Sequence, residues 1–301
     1  MDFRIEAACG SSIGRVRCNN EDNFLFDGSS LPQDNRGQMP PRNLCGTFGG
    51  HVCMAVFDGM GGMDHGEVAS ATAAESMKDL VRQLREPLTD ALEDACLQAN
   101  RAVWDAQTAL GTHNMGTTLA MLCFTESRVH AVNVGDSRIF GLRGHRLVQI
   151  STDHTDEAYM KERGITGRKP RLTQYLGMDP GQIRLEPHVT GGSLQTGDIY
   201  LICSDGLTDM LDNETIRQLL SDSGTASKCV ERLITAALEQ GGRDNVTVIV
   251  CRILDQTNSG RTEHDKDTSQ SPVARLGDLG SSWGRKLWSR IQDSAKHIRR
   301  N

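Results

Sequence analysis

The chain has 301 residues, 37% of them hydrophobic, and a formal net charge of −6 at neutral pH; it has the length for one large domain with a sizeable core, and its charge gives no reason to expect nucleic acid as the main partner. No stretch approaches the roughly 18 apolar residues of a membrane span, and Met1-Asp2-Phe3-Arg4 opens on charge with no secretory apolar run behind it. The expectation is a cytoplasmic protein, where nine cysteines without a Cys-x-x-Cys pair fit reduced thiols better than disulfides or a zinc cage.

In chain order, residues 5–10 and 23–26 read as short strands around a Gly- and Asn-rich turn, and residues 27–50, loaded with Pro, Gly and Asn, as a surface loop. Val52 to Phe57 is apolar enough for a buried strand ending at Asp58. Two amphipathic helices follow, one marked by Ala73, Met77, Leu80, Val81 and Leu84, the next by Leu88, Leu92, Ala95, Ala99, Val103 and Ala106; they should pack as an antiparallel pair. From Gly116 to Ile150, turns at Glu126-Ser127, Gly135-Asp136-Ser137 and Arg143-Gly144 divide three or four strands into an antiparallel meander. Residues 151–182 are polar, broken by Gly164, Gly167 and Pro170, and carry His154, Arg163, Arg168, Lys169 and Arg171, the pattern of a mobile flap over a site.

Strands at 183–189 and 198–203, helices near 213–220 and 225–239, and a strand at 246–252 complete an α+β layered core, taken as one domain over 1–254. Residues 255–280 have the composition of a disordered linker. In 281–301, Trp283, Leu287, Trp288, Ile291, Ala295 and Ile298 fall on one helical face opposite Arg285, Lys286, Arg290, Lys296, Arg299 and Arg300. That basic amphipathic helix suits an anionic membrane surface, such as the inner face of a cell membrane, or a partner's groove; it equally suits docking on its own domain.

Four acidic clusters punctuate the chain, each beside a glycine or an asparagine: Asn20-Glu21-Asp22, Asp58-Gly59-Met60-Gly61-Gly62, Ser204-Asp205-Gly206-Leu207 and Arg243-Asp244-Asn245-Val246. Three abut apolar runs, so their carboxylates would project from strand ends. Buried carboxylates without partners are prohibitively costly, which implies cations; oxygen-only donors favour Mg²⁺ or Mn²⁺ over zinc.

Further motifs are Gly14-Arg15-Val16-Arg17, Gly66-Glu67-Val68-Ala69-Ser70, Met115-Gly116-Thr117-Thr118 and Gly135-Asp136-Ser137-Arg138. Leu172-Thr173-Gln174-Tyr175-Leu176-Gly177, Ser204 to Asp209 and Gly242 to Thr247 complete the series. In order and residue type the whole series resembles the metal-dependent Ser/Thr protein phosphatases of the PP2C (PPM) family in their bacterial form. The resemblance implies two antiparallel sheets packed as a sandwich with a helix layer on each outer face, an αββα architecture. It further implies that Asp58 bridges two Mn²⁺ or Mg²⁺ ions, that Asp205 and Asp244 hold the first, and that Glu21 and the Gly59 carbonyl hold the second. Asp136 would join Asp205 at a third, weaker ion, and Arg17 would bind phosphate.

By the same resemblance, a water bridging the two ions hydrolyses phosphoserine and phosphothreonine in protein substrates, opposing a Ser/Thr kinase, with Arg17, Asp58 and Asp205 as the catalytic residues. Asp22 is expected to orient the ligands from behind, and Gly116-Thr117-Thr118 to act either as a strand start or in catalysis. The competing readings are a pseudophosphatase that binds or senses without turnover, and hydrolysis of a small phosphate monoester. Two departures from the family pattern stand out: Met63 replaces a histidine frequent after the Asp-Gly-Met-Gly-Gly run, with His65 two positions on, and the flap is short.

Overall fold

The computed structural model describes residues 3–48, 50–60, 65–222 and 224–254; the linker expected at 255–280 and the helix expected at 281–301 lie outside the described residues. In chain order the elements are β1 (Phe3–Ser12), β2 (Asp22–Leu25), β3 (Gly37–Phe48), β4 (Val52–Met60), α1 (Gly66–Leu80), α2 (Leu88–Leu110), β5 (Gly116–Thr117), β6 (Leu119–Phe124) and β7 (Arg128–Val134). There follow β8 (Arg138–Arg143), β9 (Arg146–Gln149), α3 (Glu157–Arg163), β10 (His188–Ser193), β11 (Ile199–Cys203), α4 (Asp205–Thr208), α5 (Asn213–Ser221), α6 (Ala226–Glu239) and β12 (Val246–Leu254).

Alternation along the central strands decides the layers. In β12, Ile249, Cys251 and Ile253 enter the core between two sheets, while Val246, Val248 and Val250 face helices. In β6, Ala120, Leu122 and Phe124 point to the same inter-sheet core, and Leu119, Met121 and Cys123 point the other way. Strands buried on both faces read as unbroken apolar runs. One sheet has the order β3-β1-β12-β11-β8-β9 and the other β10-β7-β6-β4-β2 with β5 added to β4, all pairs antiparallel. Helices α1 and α2 cover the second sheet through Ala73, Met77, Leu92, Ala99 and Val103, and α5 and α6 cover the first through Ile216, Leu220, Val230, Leu233 and Ile234. This is the expected αββα sandwich. Truncating one of these fully buried leucines to alanine costs about 2–5 kcal/mol.

The structure corrects four local expectations. Residues 27–50 are not simply a loop, because Gly37–Phe48 is a strand paired along β1. Its Met39-Pro40-Pro41 stretch sits at a bulge, where the register jumps from Cys9↔Arg42 to Ser11↔Gln38, and proline is tolerated there because an edge strand and a bulge leave its missing N–H unneeded. The Gly135-Asp136-Ser137 turn is no hairpin: β7 and β8 lie in different sheets, so the turn carries the chain from one sheet to the other. The strand expected at 183–189 begins at His188. The flap contains α3 and is tied at its base, with Asp156 N–H donating to the Arg171 carbonyl at 2.9 Å and Thr173 N–H to the His154 carbonyl at 2.8 Å.

Candidate metal centre

Strands of both sheets end at one side of the sandwich, and there the acidic residues gather. Asp22 and Asp58 stand opposite each other in the β2–β4 register. Asp205 opens α4 directly after β11, Asp244 precedes β12, and Asp136 lies in the crossing from β7 to β8. Burial pushes the Asp58 carboxyl well above the ordinary carboxylate range, and Asp205, Asp22, Asp136 and Asp244 push it further. Burial likewise raises Asp22 to about 7, against the hydrogen bonds from Thr247 and Ser204 that favour its charge. Asp136 is raised to about 6, first by burial and then by Asp205, with Lys169 pulling it back. Glu21 is raised by burial, then by Glu67. The structure thus brings Asp136, Asp205 and Asp244 within electrostatic reach of Asp58, and Glu21 within that of Asp244, with Gly59 next to Asp58.

A polar frame fixes these groups. The Asn245 amide donates to the carbonyls of Ile13 and Asn19, both at 2.9 Å, and its Oδ1 accepts from Glu21 N–H at 2.8 Å. One buried side chain therefore staples the loop carrying Arg17 and Glu21 onto the start of β12. Ser204 Oγ donates to Asp22 Oδ2 at 2.8 Å and accepts from Thr247 N–H at 2.9 Å. Thr117 Oγ1 donates to the Asp58 carbonyl at 2.9 Å, and Thr118 Oγ1 accepts from Asp58 N–H at 3.0 Å. Thr117 and Thr118 thereby clamp the peptide of Asp58, a positioning role. At Gly59 a Cβ would lie 2.2 Å from the Gly66 carbonyl oxygen and 2.4 Å from that of Glu21, so only glycine admits this backbone approach.

Two cationic side chains enter the acidic cluster. Arg17 Nη2 donates to Asp244 Oδ2 at 2.7 Å with its side chain half exposed. Lys169 Nζ contacts Asp205 Oδ2 and, at 2.7 Å, Asp209 Oδ2. Among the described residues, no three His, Cys, Asp or Glu side chains close into a ready-made cage. The donor set, oxygen throughout and with more carboxylates than the two cations that enter it, fits Mg²⁺ or Mn²⁺. His65 caps the start of α1 with its Nδ1 3.6 Å from Glu67 Oε1, and Met63 lies outside the described residues. A cavity of about 380 Å³ lies elsewhere, between the sheet edges beside Gly141, Thr190 and Tyr200, and includes none of the acidic cluster.

In the sequence Asn245 and Asp209 stand only as members of motif runs, and Lys169 as one of five basic residues in the flap. The side-chain amide in Asp244-Asn245-Val246 was a visible signal for the staple, since a buried asparagine at a strand start needs backbone partners. Nothing in the sequence joins Lys169 to residues 36 and 40 positions away.

A family model described as protein phosphatase 2C matches residues 33–240. The Ser/Thr protein phosphatase PstP of Mycobacterium tuberculosis is 35% identical over 232 residues, covering 74% of this chain and 44% of that relative, so the chain spans less than half of its length. The Ser/Thr phosphatase stp of Listeria monocytogenes is 32% identical over 263 residues, covering 82% of this chain and 95% of that one. Among solved structures, the catalytic domain of PstP in complex with two manganese ions superposes with a TM-score of 0.68 at 32% identity, covering 84% of this chain and all of that one.

Proposed function

This chain belongs to the protein phosphatase 2C family, and on that premise we propose that it hydrolyses phosphoserine and phosphothreonine in protein substrates at the acidic cluster. The observation that carries the reading is Asp58, partly buried, with its carboxyl amid Asp22, Asp136, Asp205 and Asp244 and its peptide held by the Thr117 and Thr118 clamp. Asp58 would bridge two ions, Mn²⁺ or Mg²⁺, with Asp205 and Asp244 on the first, Glu21 and the Gly59 carbonyl on the second, and Asp136 with Asp205 at a weaker third position. When bound, such ions supply Lewis acidity toward the phosphoryl oxygens and an acidified water as nucleophile.

The remaining work falls to the chain. Arg17, half exposed and anchored through one nitrogen on Asp244, presents its planar fork to the phosphate oxygens. Asp22 receives the Ser204 hydroxyl and sits opposite Asp58, so it holds the strand end in place while charge redistributes. The oxygen–phosphorus bond to water forms as that to the serine or threonine oxygen breaks, the proton that the water gives up ends on the departing oxygen, and inorganic phosphate leaves. A binding module without turnover would be expected to lack one of Asp58, Asp205 or Asp244, and all three are present. In this proposal residues 1–254 form the phosphatase domain, a Ser/Thr kinase supplies the substrates, and 281–301 meets an anionic surface. Unchanged vesicle binding after deletion of 281–301 would remove that last element. Among the described residues no helix is long and apolar enough to cross a membrane.

Phosphate release from a phosphothreonine peptide with Mn²⁺ tests the reading through Arg17→Ala. A charge-assisted contact of about 1.5–3 kcal/mol corresponds to a loss of roughly 10- to 100-fold in kcat/KM. An unimpaired Arg17→Ala enzyme would overturn the role given to Arg17, and a wild-type chain that releases no phosphate would overturn the activity.

A further inference from the structure

Lys169 belongs to the flap, yet its ammonium ends among carboxylates on the far side of the site. It contacts Asp205 Oδ2, reaches Asp209 Oδ2 at 2.7 Å, and is the charge that pulls Asp136 back toward ionisation. Asp205 and Asp209 therefore hold it, with Asp136 in electrostatic reach, and Asp136 and Asp205 are the residues assigned above to the weak third ion. The chain on either side is tied to one carboxylate, by a side chain before Lys169 and by backbone after it. Arg168 Nη2 donates to Asp156 Oδ2 at 2.6 Å, and Arg171 N–H donates to Asp156 Oδ1 at 2.7 Å. Asp156 itself opens α3, so the clamp sets where Lys169 can reach.

We propose that Lys169 is the resident cation of the third position: its ammonium occupies an Asp205 oxygen that a third divalent ion would need and ties the flap to α4. The proposal rests on the metal-centre reading given above. An ammonium balances one negative charge and offers no open coordination position, so it cannot acidify a water as a divalent ion does. It takes one oxygen of Asp205, and a carboxylate can serve two cations, one through each oxygen. The chain then operates with two bound ions and a closed flap. Binding of a third ion and docking of Lys169 oppose each other, and the opposition is reciprocal: displacing the ammonium frees the flap, and freeing the flap opens the third position. The device sets metal stoichiometry through a residue remote in sequence from every carboxylate it touches.

The test is a calorimetric Mn²⁺ titration of chelator-stripped full chain, comparing wild type with Lys169→Met and Lys169→Arg, together with hydrogen exchange of residues 157–171. The expected result is two ions for wild type and for Lys169→Arg. Lys169→Met should take up three, with faster exchange across the flap. Equal stoichiometry, affinity and exchange in wild type and Lys169→Met would overturn the proposal, as would three ions bound by wild type. Absence of Mn²⁺ binding in all three proteins would instead overturn the metal-centre reading beneath it. Lys169→Arg keeps the charge, so it separates loss of the cation from any general damage to the flap.

Discussion

Removing the Asn245 amide isolates the contribution of the staple behind the site. In Asn245→Ala three hydrogen bonds vanish, from the amide to the Ile13 and Asn19 carbonyls and from Glu21 N–H to Oδ1. Asn245 is only 4% exposed, so little water reaches the severed groups. At about 1 kcal/mol net per bond the loss is about 3 kcal/mol. For a domain of this size each kcal/mol moves Tm by about 2–4 °C, so the expected fall is roughly 6–12 °C. The assay is thermal or urea unfolding in chelator, where bound metal cannot mask the change, followed by Mn²⁺ titration. Because the freed loop carries Arg17 and Glu21, Mn²⁺ affinity should fall as well. A stability change under about 0.5 kcal/mol, the range of an ordinary surface substitution, would refute the staple.

Three further outcomes follow from the geometry. Arg143→Met should cost about 3–5 kcal/mol, because Asp198 is 3% exposed and receives Arg143 through both oxygens at 2.7 Å; urea unfolding reads it, and a change near zero would mean that water compensates the carboxylate. Gly59→Ala drives a Cβ into two backbone oxygens that cannot give way, so it should lose about 1–3 kcal/mol and bind Mn²⁺ more weakly; an intact Mn²⁺ isotherm would contradict the close approach. His154 accepts from Gly135 N–H at 3.2 Å through Nδ1, and burial, then His188, holds its pKa below the unfolded value. A depressed folded pKa gives stability that is complete above about pH 6.5 and lost as pH falls through the folded value, so the gap between wild type and His154→Leu in thermal unfolding should narrow from pH 7.5 to 5. A constant gap would remove His154 from the support of the Asp136 turn.

How much of this was legible in the sequence depended on whether the determining contact was local. Strands β4, β11 and β12 announce themselves because both faces are buried and the apolar runs are continuous, and α6 because Val230, Leu233, Ile234 and Ala237 repeat at helical spacing. The acidic residues could be grouped because each sits at the end of such a run. Strand β3 was hidden because its propensity is poor: Met39-Pro40-Pro41 reads as a breaker, and pairing to β1 across a bulge overrides it. The Gly135-Asp136-Ser137 turn has the same local chemistry whether it closes a hairpin or crosses between sheets, and only global topology decides. The contacts of Arg17 with Asp244 and of Lys169 with Asp205 span 227 and 36 residues, so no local pattern encodes them.

The most direct test of the central claim is the rate of phosphate release from a phosphothreonine peptide by the wild-type chain and by Asp58→Asn, each with Mn²⁺ and with chelator. The account predicts turnover only for wild type with Mn²⁺, with Asp58→Asn folded, as judged by circular dichroism, but inactive. Turnover that persists in chelator, or in folded Asp58→Asn at the wild-type rate, would contradict it.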